Sequence, residues 1–204
     1  MSNRKQPQIT VYQIRIHLRG VSPPIWRRVR IPTTATIADL HAVVQAVMGW
    51  EDSSSNLFII RGQYYGVPRD GALHIVAGSE DLQLRAFQFC AHERFIYEYD
   101  IYSNWVHDLR IEGIVDVTQS KLPRCIKGTG ACPPEGSGPP DRFMETKDNH
   151  SVFDLLEWLQ DALEDELPMH DLREELADRL PWANIGFDPK EANARLQNLE
   201  CYIA

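Results

Sequence analysis

Residues 123–140 read PRCIKGTGACPPEGSGPP, and the fold of this 204-residue chain turns on how that stretch is read. Pro123, Pro133, Pro134, Pro139 and Pro140 remove amide donors and fix φ, while Gly128, Gly130, Gly136 and Gly138 permit turns and close backbone approach. The stretch therefore reads as neither helix nor strand. Before it the sequence alternates as strands do; after it come acidic amphipathic helices. This makes it a joint inside one domain, with 1–118 as sheet plus one helix, 119–148 as the Cys/Gly/Pro loop, and 149–204 as a helical part packed on the sheet.

Upstream of the joint, Phe95–Asp100 and Trp105–Ile114 predict an aromatic hairpin through Tyr102-Ser-Asn104. His107 falls on its apolar parity with Trp105, Leu109 and Ile111, within a hairpin's reach of Asp100. A carboxylate beside an imidazole would fix its tautomer and raise its basicity. Farther back, Asn56–Gly66 suits a strand, and weaker strand patterns cover Leu73–Val76 and Leu82–Phe89. Thr36 with Asp39 makes a capping-box start for a helix closed by Gly49. Val11–Gly20 and Ile25–Pro32 alternate as a hairpin pair, with Arg15 and Arg19 on the polar parity of the first strand and Arg28 and Arg30 on the polar parity of the second. Arg27 shares the apolar parity of Ile25 and Val29; a rim position is its ordinary outcome, a bulge or a paired buried arginine the alternatives. The order predicts an α+β fold with a mixed or antiparallel sheet and a β-β-α-β, β-grasp-like start.

Downstream, three amphipathic helices are expected. Ser151 caps the first, with Val152, Leu155, Leu156, Leu159 and Leu163 as its apolar stripe. Asp171–Leu180 forms the second. Asp188-Pro-Lys-Glu191 starts the third with N-cap Asp and Pro at N1.

Charge is unevenly spread. The net of −8 hides a first stretch, residues 1–38, with seven Lys or Arg and no acid, against 15 acids and five bases in residues 145–204. Either the basic strands meet a polyanion such as nucleic acid, or they lie against the acidic helices, or both are simply solvated surfaces. No apolar run approaches the roughly 20 residues that span a bilayer, and the start MSNRKQPQIT lacks an apolar signal segment, so no membrane partner and a cytoplasmic location are expected. In that compartment the cysteines read as free thiols or metal ligands. Zinc wants about four closely spaced ligands. Cys125 and Cys132 lie seven positions apart and would need His107, or Cys90 with His92, to complete a site. No paired catalytic carboxylates, HExxH, nucleophile elbow or phosphate loop occurs.

Several segments, in order, resemble the plasmid pRiA4b ORF-3-like family, some of whose members carry a transposon-passenger "TnpR" label. They are VYQIRIHLRGVSPPIWRRVRIP, LHAVVQAVMGW, YEYD followed by W-x-H, C-x6-C running into PPE, and FDPKEANARL. The resemblance implies an α+β fold and an association with plasmids and mobile elements, without an established activity. It adds Trp105 and Glu135 to the residues of interest. Relatives commonly carry H-x-H where this chain has Ser54, Ser55 and Asn56, Phe-Gly-Asp where it has Ile101, Tyr102 and Ser103, and an Asp with paired glycines where it has residues 136–139. A site built from those side chains would be degenerate here.

Three functions follow as expectations. The first is a non-enzymatic binding module for protein or nucleic acid, using Arg15, Arg19, Arg28, Arg30, Asp100, Trp105, His107 and Glu135. The second is a divalent-metal-dependent hydrolase or nuclease with a degenerate site at Asp100, His107 and the Cys loop. The third is an assembly protein with its acidic helices at an interface. Oligomeric state is not set by the sequence.

Overall fold

The computed structural model describes residues 8–66, 76, 78–118, 121–148, 152–180, 182 and 186–199. Strands β1 (Gln8–Leu18) and β2 (Trp26–Pro32) lead into helix α1 (Ile37–Met48), followed by β3 (Asn56–Ile60), β4 (Gln63–Tyr65), β5 (Arg94–Tyr99), β6 (Trp105–Thr118) and β7 (Arg124–Thr129). Helices α2 (Pro140–Asp148), α3 (Val152–Glu164), α4 (Met169–Arg179) and α5 (Pro189–Asn198) complete the order. The fold is α+β. Its seven strands form one sheet in the order β4-β3-β5-β6-β1-β2-β7, each neighbouring pair antiparallel.

Local chemistry accounts for most of these elements. Thr36 and Asp39 cap α1 reciprocally, and Gly49 ends it at φ 87, a left-handed value that costs glycine little. One face of the sheet and the apolar side of α1 share the core: Ile14, Ile16, Leu18, Val29, Ile31, Leu40, Val44, Phe58, Tyr97, Leu109 and Ile111 are buried together. Helix α5 adds Ala192 and Leu196 to this cluster. Its Asn193 amide donates to the Cys125 carbonyl and accepts from the Cys125 N–H, both at 2.9 Å, so the side chain pairs with edge strand β7 as a neighbouring strand would.

Three expectations need correction. The joint contains a strand and ends in a helix: the residues between Pro123 and Pro133 keep their amide donors, Arg124–Thr129 pairs with β2, and Pro140–Asp148 forms α2, a fourth helix that starts at a proline whose missing N–H the first turn does not need. Gly128 permits this, because a Cβ there would sit 2.6 Å from Phe187 Cε1 and 2.9 Å from Arg27 Cδ. Leu82–Phe89 is not a strand but holds a short 3-10 turn at Leu84–Phe87, whose Leu84 and Phe87 enter the core. Helix α3 does not bury its expected stripe; Val152, Leu156 and Leu163 are exposed and only Ala162 is buried, since no partner covers that side among the described residues. The strand read at residues 73–76 and the Ser151 cap lie outside the described residues, Val76 apart. No described helix is long and apolar enough to cross a membrane.

Candidate functional site: the open face of the sheet

Alternation sends the side chains opposite to the core onto a second face. On β1 these are Gln13, Arg15 and His17; on β2, Trp26, Arg28 and Arg30; on β6, Asp108, Arg110 and Glu112. Register then lines up what the sequence keeps far apart. Arg94 of β5 lies opposite Arg110 of β6, Arg110 opposite Arg15 of β1, Arg15 opposite Arg28 of β2, and Arg28 opposite Lys127 of β7. Five cations thus cross five strands in one row, spanning roughly 19 Å at the usual strand spacing. Arg30 faces Arg124 in a neighbouring row.

Like charges directly opposite each other in a sheet destabilise it, by roughly 0.2–1 kcal/mol per pair. Neighbouring acids relieve part of the row. Glu112 receives Arg28 Nη2 at 2.8 Å and a second bond from its Nε, and the Arg28 guanidinium holds the Glu112 carboxyl below its ordinary range. Arg19, at the end of β1, grips Asp108 with two nitrogens and lowers that carboxyl in the same way. Arg30 Nε donates to Gln13, and Arg110 is bonded to His92 Nδ1 at 3.0 Å while its Nε has no partner among the described residues. Arg15, Arg94 and Lys127 pair with no carboxylate among the described residues. Among the described residues the basic strands therefore pair with acids of β6 and not with those of the helices; Arg179 and Arg195 take helix carboxylates from within α4 and α5.

Arg27, on the opposite parity, is buried rather than at the rim. Its Nε donates to the Val47 carbonyl at 2.9 Å, Nη1 to Trp26 and Thr129 at 3.0 and 2.7 Å, and Nη2 to Gly130 at 2.9 Å. The Phe187 ring covers the guanidinium, 3.9 Å from its carbon to the ring centre. One side chain so ties the end of α1 to the β7 turn.

The remaining expected site residues separate. His107 is in the core, paired with Tyr97 across the hairpin, its Nδ1 bonded to the Trp105 carbonyl at 3.1 Å. Burial lowers its pKa to about 3, which keeps it neutral. Trp105 is also core, packed beside Trp50 and Phe143. Asp100 does not bond His107: its carboxylate accepts from the Tyr102 N–H inside the turn, because the register sends Tyr97 to His107 and leaves Asp100 at the tip. Cys125 packs under Asn193, and Cys132 Sγ lies 3.5 Å from Met48 Sδ. Burial pushes the Cys132 thiol up to about 12 and also raises Cys125. Among the described residues no group of three or more His, Cys, Asp or Glu is placed to hold a metal ion. Cys125, Cys132 and His107 do not converge.

Glu135 has a different task. Its carboxylate accepts from the Glu51 N–H at 2.6 Å, the Ser53 N–H at 3.1 Å, the Ser53 hydroxyl at 2.6 Å and the Tyr99 hydroxyl. Trp50 Nε1 donates to the Pro133 carbonyl at 2.9 Å beside it. The Pro/Gly joint is thereby latched to the loop after α1. Burial alone would raise the Glu135 carboxyl, but the donated bonds outweigh it and hold it low; burial and Glu135 together push the Tyr99 hydroxyl up to about 12. A carboxylate whose folded pKa is depressed stabilises the fold above its unfolded value, near pH 4.3, and loses that contribution as pH falls through the folded value. Glu135→Ala should therefore cost about 2 kcal/mol at neutral pH, and thermal melts of variant and parent should converge in acid. A gap of constant size from pH 7 to pH 3 would contradict the latch.

Sequence reading found Arg15, Arg19, Arg28 and Arg30 on this surface and missed Arg94, Arg110, Arg124 and Lys127. The only signal for Arg110 was its parity with Asp108; its neighbours across the sheet come from segments far away in the chain. A family model described as plasmid pRiA4b ORF-3-like protein matches residues 10–195. The uncharacterized protein y4hQ of Sinorhizobium fredii (strain NBRC 101917 / NGR234) is 34% identical over 138 residues, 67% of this chain and 71% of that protein. The crystal structure of a protein of unknown function, MM3350 from Methanosarcina mazei Go1, superposes with a TM-score of 0.65 at 26% identity, covering 92% of this chain and 98% of that one.

Proposed function

We propose that this chain, which belongs to the plasmid pRiA4b ORF-3-like family, is a non-enzymatic binding module whose open sheet face holds the phosphate backbone of a nucleic acid. The observation that carries this reading is the row Arg94–Arg110–Arg15–Arg28–Lys127. Aligning five cations sets up a mutual repulsion that Glu112 and Trp26 offset only in part, whereas a polyanion turns it into attraction. The face holds eight cations, adding Arg19, Arg30 and Arg124, against Glu98, Asp108 and Glu112. The rest of the molecule is strongly acidic, so a phosphate chain is repelled elsewhere and steered to this surface. Binding needs no proton transfer, and the carboxylates nearest the row are occupied by Arg28 and Arg19.

Affinity should therefore depend steeply on salt. With about five phosphates neutralised, the logarithm of the binding constant should fall against the logarithm of salt concentration with a slope of about −3.5 for a single strand and about −4.5 for a duplex. Fluorescence anisotropy of a labelled oligonucleotide across a salt series measures this. Absence of binding at about 50 mM salt, where phosphate contacts are strong, would remove the proposal.

A further inference from the structure

Beside the cation row the open face carries an aromatic ring. Trp26 opens β2 opposite His17 of β1 and Thr129 of β7. It stands two residues along the strand from Arg28, about 7 Å from the row. The guanidinium carbons of Arg15 and Arg28 stand over the Trp26 ring, 4.4 and 5.6 Å from its centre, so a base that stacks there takes the place of a guanidinium, which turns instead to the phosphates. Trp50, a core tryptophan, gives its indole N–H to the Pro133 carbonyl. Trp26 is only half-buried, and its N–H has no acceptor among the described residues.

Resting on the reading of this face as a phosphate-binding surface, we infer that its ligand is single-stranded nucleic acid, with phosphates along the cation row and an unpaired base stacked on Trp26. A duplex could satisfy the row but hides its base faces in the stack. A single strand presents both charge and exposed π-faces, and a tryptophan set among arginines receives both. His17, opposite Trp26, adds a second flat ring to the same row. Because every base has a π-face, stacking on Trp26 is tolerant of sequence.

The test uses the full chain, the parent and Trp26→Leu. Each is titrated at one salt concentration with a labelled single strand of about 12 nucleotides, with the same sequence as a duplex, and with inorganic polyphosphate as competitor. The expected result is a single strand bound at least about tenfold more tightly than the duplex, and a loss on the order of tenfold for Trp26→Leu on the single strand alone. Equal affinity for single strand and duplex, or an unchanged Trp26→Leu, overturns the inference while binding of polyphosphate and duplex leaves the phosphate-binding face standing. Failure of every polyanion to bind at low salt removes both. Should the leucine variant not fold, photocrosslinking of the parent to a bromouracil-substituted single strand gives a second readout. An adduct on the peptide carrying Trp26 supports stacking, and adducts confined to other peptides refute it.

Discussion

Changing Arg15, Arg94 and Lys127 together to glutamine should remove most nucleic-acid binding and leave thermal stability unchanged or slightly higher. These three side chains belong to the row and have no carboxylate partner among the described residues. Their replacement therefore orphans no buried acid. Each lost phosphate contact should lower the magnitude of the salt slope by about 1, and the three together should weaken binding on the order of 100-fold or more near 50 mM salt. Folding gains relief from like charges at Arg94–Arg110, Arg15–Arg110, Arg15–Arg28 and Arg28–Lys127. It loses the contact of Arg15 with Trp26, worth about 0.5–1 kcal/mol at a surface. The two effects nearly offset. Anisotropy titrations beside calorimetric melts separate this outcome from a loss of binding through unfolding. Unchanged affinity in a folded triple variant would show that the row is not the contact surface.

The opposite behaviour is expected of Arg27→Met: stability falls by about 3 kcal/mol, which for a chain of this size means roughly 6–12 °C in the melting midpoint. Methionine fills much of the volume but donates nothing. The carbonyls of Val47, Trp26, Thr129 and Gly130 lose the guanidinium that gathers them, and in a buried setting an orphaned acceptor costs more than the bond itself contributed. Arg27→Lys should recover only part of the loss, because an ammonium cannot reach four carbonyls spread around a planar fork. A fall of less than about 2 °C for methionine would mean that water replaces the guanidinium. Nucleic-acid affinity of the surviving folded fraction should stay near the parental value, since Arg27 points away from the open face.

What could be read in advance follows the range of the forces involved. The α1 caps, the β1–β2 and β5–β6 hairpins and the Asp188 cap of α5 are set by residues a few positions apart, so their patterns were legible. Strand β7 was hidden by the prolines around it, and its place depends on Gly128 fitting against Phe187 and Arg27, contacts set by tertiary packing. The burial of Arg27 was equally illegible, because its four acceptors lie at the end of α1, in β2 itself and at the end of β7. Half of the cation row was visible as alternating arginines in β1 and β2. The other half required the central pairing of β1 with β6, whose partners Arg15 and Arg110 lie 95 positions apart. Cysteine and histidine content suggested a metal, but parity sends His107 inward, the Cys125 thiol turns to the Lys127 carbonyl and the Cys132 thiol lies against Met48.

The Asn193 clamp on Cys125 also sets a schedule. The last strand residue, Thr129, precedes Asn193 by 64 positions. On a ribosome adding about 5–20 residues per second, Thr129 leaves the ribosome roughly 3–13 s before Asn193, whose side chain pairs with the β7 edge at Cys125. During that interval the edge presents free backbone donors and acceptors to any neighbouring nascent chain. Clustered ribosomes on one message would be the setting in which this protein is most prone to wrong pairing, and slowing translation after codon 129 would lengthen the exposure.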